Sequence, residues 1–209
     1  MKAKTSFFLA VVGLVMMSCA SSYKTISPNS LNYSNRQICN EKLEVSYIYD
    51  VYSMTDNRKY SRKEKNNNYR TIAVRIRNLT DTSKIITTDN FRIYANDREL
   101  SMANKADYFG AVSQLSAMYL LHGLWGPWRI ESWSDSNGQS GTKTTYIPIG
   151  LAVGVINMII ATVANSNHRK EINDNEIFGK TIKPKETITG IVILNYSQYD
   201  PLVFKYLDK

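Results

Sequence analysis

From Ile147 to Ala164 the chain runs 18 residues without a charge, although 21% of its 209 residues are charged. As a helix this stretch is about 27 Å long. A rod with so little polar surface must lie against protein or lipid. Gly150, Gly154, Asn157, Ala161 and Asn165 recur at spacings of 4, 3, 4 and 4, and so share one helix face. Leu151, Val155, Ile159 and Val163 share another. Small side chains let two backbones approach closely, and Pro148 is tolerated where a helix begins. Upstream, Phe109 to Leu124 reads as a helix ended by Gly123 and Gly126-Pro127. Gly110, Ser113 and Ala117 give it a matching stripe of small residues. The expectation is an antiparallel α-helical hairpin within an insertion at about 109–170, with a flexible loop at Asn137 to Gly141. That hairpin either packs on the rest of the protein, docks a partner or enters a bilayer. Gln114, His122 and Asn157 favour packing, because polar groups are costly in lipid.

The amino terminus has its own order. Met1-Lys2-Ala3-Lys4 is basic, Phe7 to Met17 is apolar and uncharged, and Ser18-Cys19-Ala20 places small residues around a cysteine. This is the anatomy of a secretory leader, and it is shorter than the ~20 residues of a comfortable span. The run Val15-Met16-Met17-Ser18-Cys19 resembles the lipobox of bacterial lipoproteins, with Met16 at the usual Leu-like position. The resemblance implies a signal peptide over 1–18, a diacylglyceryl thioether on Cys19, and acylation of the new amino terminus. A thiolate is the nucleophile such a transfer needs, and two or more chains make anchoring stable. The protein implied is lipid-anchored in a bacterial cell envelope. No acidic run follows Cys19, which points to the outer membrane facing the periplasm. Lys2 and Lys4 fall in the leader, so the net charge of +8 becomes +6. Cys39 is then the one remaining thiol, so no internal disulfide is expected. With no basic or histidine activator beside it, it reads as a half-buried structural group. Residues 19–42 read as the lipidated cysteine and a polar tether, from Ser21-Ser22 and Ser27-Pro28-Asn29-Ser30.

A single β-sandwich domain is expected over 43–209. Leu43, Val45, Tyr47, Tyr49 and Val51 alternate along one strand. Ile72, Val74 and Ile76 alternate along a second. Lys84 to Thr88 and Phe91 to Ala95 are shorter strands, with turns at Asn78 to Asp81 and Asn96 to Arg98. A turn at Lys183 to Glu186 leads into strands over Thr187 to Leu194 and Leu202 to Leu207. Gly190 to Leu194 is apolar on both faces and needs a cover. The strand-bearing parts, 43–108 and 180–209, match the ~100 residues of an immunoglobulin-like unit. The order of Ile72 to Leu79, Asn90 to Tyr94 and Ile182 to Val192 resembles the immunoglobulin-like domains of small bacterial envelope lipoproteins. Pro184-Lys185 stands where that class has Pro-Gly. The expected class is mainly β with a helical insertion: an immunoglobulin-like β-sandwich covered by an α-helical hairpin.

For chemistry the chain offers little. Two cysteines and two histidines are too few for a disulfide framework or a histidine-rich metal cluster. His122 and His168 lie far apart and belong to no ligand-spaced motif. No catalytic residue, cofactor site or metal site is expected, and the chain reads as not an enzyme. Trp125, Trp128 and Trp133 form a candidate interaction patch for a glycan or protein partner, or plug a junction inside the fold. Arg58, Lys59, Arg62, Lys63 and Lys65 form a candidate contact for an anionic surface, or a solvated loop between two strands. Nucleic acid is not an expected partner for an envelope protein. The expected role is binding, accessory or structural, with an envelope protein or polysaccharide as partner. The alternatives are a membrane-active hairpin over 109–165 and a hydrolase of an envelope polymer.

Overall fold

The computed structural model describes residues 19–207 except 126–127, 137–138 and 148, and the backbone alone over 123–130, 132–143 and at 147. The leader expected at 1–18 lies outside the described residues. Along the chain, β1 (Asn35–Cys39) and β2 (Leu43–Ile48) precede two helices, α1 (Val51–Met54) and α2 (Arg58–Asn66). Then come β3 (Arg70–Asn78), β4 (Lys84–Ile85), β5 (Phe91–Ala95), β6 (Arg98–Glu99) and α3 (Lys105–Val112). A 3-10 helix (Ser116–Trp125), β7 (Trp128–Ser136), β8 (Gln139–Ile147) and α4 (Ile149–Asp174) follow. The last strands are β9 (Thr181–Ile182), β10 (Thr187–Leu194) and β11 (Leu202–Tyr206). Helix and strand are nearly balanced, at about 34% and 30%. The chain is thus β-rich with antiparallel sheets and one long helix, and more helical than the strand pattern suggested. Its described residues fall into two compact units, 23–113 with 166–207 and 19–22 with 114–165. The inserted part is therefore 114–165, narrower than the expected 109–170.

In the larger unit, β1-β2-β3-β10 form one antiparallel sheet and β11-β5-β6 another. The two-residue period of β3 places Ile72, Val74 and Ile76 on one face, opposite Val192, Gly190 and Ile188 of β10. That face shares a core with Phe91 and Ile93 of β5 and Leu202 and Phe204 of β11. The other face is also dry, since Thr71, Ala73, Ile191 and Ile193 are buried. It is covered by helix: the Tyr108 hydroxyl of α3 lies 2.8 Å from Thr71 Oγ1. Asn104 starts that helix by accepting the Ala106 and Asp107 N–H groups on its side chain. The cover that β10 required also comes from the chain after α4. The Ile191 N–H donates to the Asn175 carbonyl at 2.7 Å. A Cβ on Gly190 would meet that oxygen and Ile177 Cδ1, each at 2.8 Å.

Three expectations for this unit need correction. The strand drawn from Leu43 to Tyr52 stops at Ile48. Asp50 takes a left-handed φ of 57° and turns the chain into α1, whose Val51 and Tyr52 are wholly buried. The basic run is not a loop but α2. No Gly or Pro interrupts it, and Tyr60 and Glu64 stand four residues apart on its buried face. The tether is structured. Ile26 is buried, Pro28–Ser30 is a 3-10 turn, and β1 is the edge strand of the larger sheet. Where the reading depended on local turn chemistry it holds. Asn96 and Asp97 sit at positive φ in their turn, and the Glu186 N–H closes the turn after Ile182 onto the Lys183 carbonyl at 3.1 Å.

The smaller unit is not an α-helical hairpin. α3 ends at Val112, and the segment expected to continue it is the 3-10 helix Ser116–Trp125. The cause lies at Gln114, whose main chain leaves the helical ladder. Its N–H donates to Asn165 Oδ1 and its carbonyl accepts from Asn165 Nδ2, both at 2.8 Å. Between the 3-10 helix and α4 stands a two-stranded antiparallel ribbon, β7-β8. Gln139, Ser140 and Gly141, expected in a loop, are the start of β8. The small-residue stripe does what its spacing predicted. Gly150, Gly154, Asn157 and Ala161 are buried, and a Cβ on Gly154 would meet the Tyr119 carbonyl at 2.7 Å. Gly110 has open space beside it and makes no close approach.

Candidate functional site

The residues after Cys19 are seated, not free. In the smaller unit the Ala20 N–H donates to Asn157 Oδ1 at 2.7 Å. The Ser21 N–H donates to Gln114 Oε1 at 3.1 Å, and Gln114 Nε2 donates back to the Ser21 carbonyl at 2.7 Å. An amide side chain carries both donor and acceptor, so it can pair with main chain as a strand would. Gln114, Asn157 and Asn165 all act this way, and Asn157 Nδ2 also donates to the Val153 carbonyl at 3.0 Å. His122 Nδ1 faces the Tyr119 carbonyl at 2.8 Å, which makes that nitrogen the protonated one. These are the same polar groups that argued against a lipid setting. Each is buried or half-buried and turned inward.

The opposite side of the helix is apolar and open. Leu151, Val155, Ile156, Ile159 and Val163 of α4 are exposed, four of them by more than half. Leu115, just before the 3-10 helix, and Met118, Leu120 and Leu121 within it are exposed as well. α4 is long and apolar enough to cross a membrane by length and composition.

In the larger unit, the segment after Ser22 is held by a carboxylate. Glu171 accepts from the Ile26 N–H at 2.8 Å, the Ser27 N–H at 3.0 Å and the Tyr23 hydroxyl at 2.6 Å. Asn57 exchanges two hydrogen bonds with the Lys24 main chain, at 2.8 and 2.6 Å. Beneath this segment lies a buried polar cluster that sequence reasoning did not find. The rings of Tyr23, Tyr52, Tyr60, Tyr108 and Phe109 surround His168 at 4.6–5.8 Å between centroids. His168 Nε2 is 2.6 Å from the Tyr52 hydroxyl, and Nδ1 has no partner. The tautomer that orphans no N–H carries its proton on Nε2 and donates to Tyr52. A chain then runs Tyr52 to Tyr108 to Thr71. Burial pushes His168 down to about 3 and Glu64 up to about 8. The Glu64 carboxyl accepts the Thr71 N–H, which opposes that rise.

The basic residues do not form one surface. Arg58, Arg62 and Lys65 line an open hollow with Ser53, Ser61 and Asn66. Arg58 is paired with Asp56 at 2.8 Å, and Lys65 stands 3.9 Å from Asp50. Lys63 turns away and donates to the Ser113 carbonyl. Lys59 lies beside Lys63 closely enough to help burial lower the Lys63 pKa. Trp125 ends the 3-10 helix, and Trp128 and Trp133 stand in β7 opposite Ile147 and Thr142. Their side chains lie outside the described residues. Cys39 is buried rather than half-buried, donates to the Phe204 carbonyl at 3.2 Å, and is pushed up to about 11 by burial. Among the described residues no three His, Cys, Asp or Glu side chains gather to hold a metal ion. No family model, curated protein or solved structure matches this chain.

Proposed function

We propose that this chain is a lipid-anchored protein of the bacterial cell envelope, with a non-catalytic binding, accessory or structural role. Cys19 carries the diacylglyceryl group and becomes the amino terminus, in the outer membrane facing the periplasm. The body is an immunoglobulin-like sandwich, a reading supported by the two antiparallel sheets that share one core. Its partner is an envelope protein or polysaccharide. The observation that carries the proposal is the order of basic, apolar and small residues ending at Cys19. The test is mass spectrometry of the amino-terminal peptide from membrane-extracted protein, with metabolic fatty-acid labelling of wild type and Cys19→Ala. The expected peptide begins at Cys19 and carries acyl mass, and the variant takes up no label. An unlabelled wild type, or a peptide that starts elsewhere, overturns the reading.

A further inference from the structure

We infer that the open apolar face of α4 and the adjoining 3-10 helix lies in the headgroup-acyl boundary of the bilayer that takes the Cys19 lipid. The inference rests on the anchor proposed above and adds a second, protein-borne contact to it. Three observations within the smaller unit carry it. First, the outward face of α4 from Leu151 to Val163 holds no charged side chain, and its one hydroxyl is satisfied within the helix. Thr162 Oγ1 donates to the Met158 carbonyl at 2.8 Å. Second, Gln114, Asn157 and Asn165 turn their amides inward onto main chain. The usual objection to lipid contact, an unpaired polar group, does not apply to them. Third, Ala20 is bonded to Asn157, halfway along the apolar stretch. The acylated residue therefore joins the same unit that carries the exposed stripe.

The face rests in the boundary and does not cross. β7-β8 is a ribbon of two strands with open edges, and such edges are not tolerated in hydrocarbon. Its strands also carry Arg129, Glu131, Asp135 and Lys143. An apolar helix face backed by inward polar groups is the pattern of a segment that lies in the membrane plane.

The experiment uses the mature chain from residue 19 with Cys19→Ser, so that no acyl chain contributes. It is mixed with vesicles of phosphatidylethanolamine and phosphatidylglycerol and floated on a density gradient in high salt. The unacylated protein is expected to float, and Ile156→Asp with Ile159→Asp is expected to partition at least tenfold more weakly. Circular dichroism and melting of the double variant should match the parent, since both side chains are exposed. As a second measurement, an Ile159→Cys protein labelled with an environment-sensitive dye should shift to the blue on adding vesicles and be quenched by brominated lipid. Buried Cys39 will not take the label. Equal flotation of parent and double variant, or no dye response, overturns the inference. So does a parent that self-associates in solution and is made monomeric by the double variant without change in flotation, because the face is then a protein interface. A missing acyl group on the native protein refutes the anchor alone. Vesicle binding by the unacylated chain is judged independently of it.

Discussion

The larger unit should be most stable in a window of mildly acidic pH, and two buried groups set its edges. Glu64 is held at about 8 in the fold against an ordinary 4.5, through burial. Between those values the folded state keeps a proton that the unfolded chain has lost. Stability from this group is therefore complete below about 4.5 and is lost as pH rises toward 8. At ~1.4 kcal/mol per unit, a span from 4.5 to about 8 is worth about 5 kcal/mol. His168 works in the other direction. Burial holds it at about 3 against 6.5, so the unfolded chain binds the extra proton between those values. Its contribution is present above 6.5 and is lost as pH falls, again to the extent of about 5 kcal/mol. The two slopes oppose one another between 4.5 and 6.5, where stability should be flat. It should fall on the acid side through His168 and on the alkaline side, from 6.5 to 8, through Glu64. The assay is urea unfolding of residues 19–209 followed by circular dichroism from pH 4 to 9. Glu64→Gln keeps an acceptor for the Thr71 N–H and removes the titration, so its alkaline limb should flatten. His168→Phe keeps a ring inside the tyrosine cage and should flatten the acid limb. The reasoning fails if wild type gains stability from pH 6.5 to 8, or if the alkaline limb survives in Glu64→Gln.

Other consequences follow from single contacts. Glu171→Ala leaves the Ile26 and Ser27 N–H groups without their acceptor, at about 1–3 kcal/mol each. The unfolding free energy should fall by about 3 kcal/mol, and amide exchange over 23–27 should accelerate by orders of magnitude. An unchanged exchange rate there refutes the latch. Gly154→Ala forces a methyl against the Tyr119 carbonyl and should cost about 1–3 kcal/mol by overpacking. Gly110→Ala adds a methyl to open space in α3 and should gain about 0.5–1 kcal/mol. Denaturation of the pair checks the contrast, and the account fails if both substitutions shift stability in the same direction. Cys39, pushed up to about 11 and buried, should resist iodoacetamide at pH 8 in the native chain and react at once in urea. Fast native alkylation refutes its burial.

Much of the larger unit was legible because its signals are local. The alternation in Ile72, Val74 and Ile76 and the β-branched run Thr187 to Leu194 match β3 and β10, since a strand face repeats every two residues whatever lies beyond it. The double burial of β10 was readable from the same run. The turn at Asn96-Asp97 follows from side chains that tolerate positive φ, and Pro184 suits the first central position of the turn over Lys183 to Glu186. In the smaller unit, the Gly150 to Asn165 stripe correctly foretold a close backbone approach. One signal went unread there. Asn137-Gly138 between Trp128 to Ile130 and the threonine-rich Thr142 to Ile147 is strong hairpin chemistry, and the ribbon β7-β8 flanks it.

What local pattern could not supply is the choice of partner. Val51 and Tyr52 follow directly on a strand alternation, yet they lie in a helix where both side chains are wholly buried, Tyr52 within the tyrosine cluster, and that burial outweighs strand propensity. Gln114 sits inside an apolar helical pattern, yet the pattern breaks there because an asparagine 51 residues away takes both of its main-chain groups. The segment 20–42 is polar enough to read as a tether, yet Glu171 and Asn57 hold it through main-chain bonds that leave no trace in residue type. Composition and period decide which face of an element is apolar, because that depends on neighbours three or four residues away. Which polar group finds a partner across 50 or 150 residues is decided only once the chain has closed on itself.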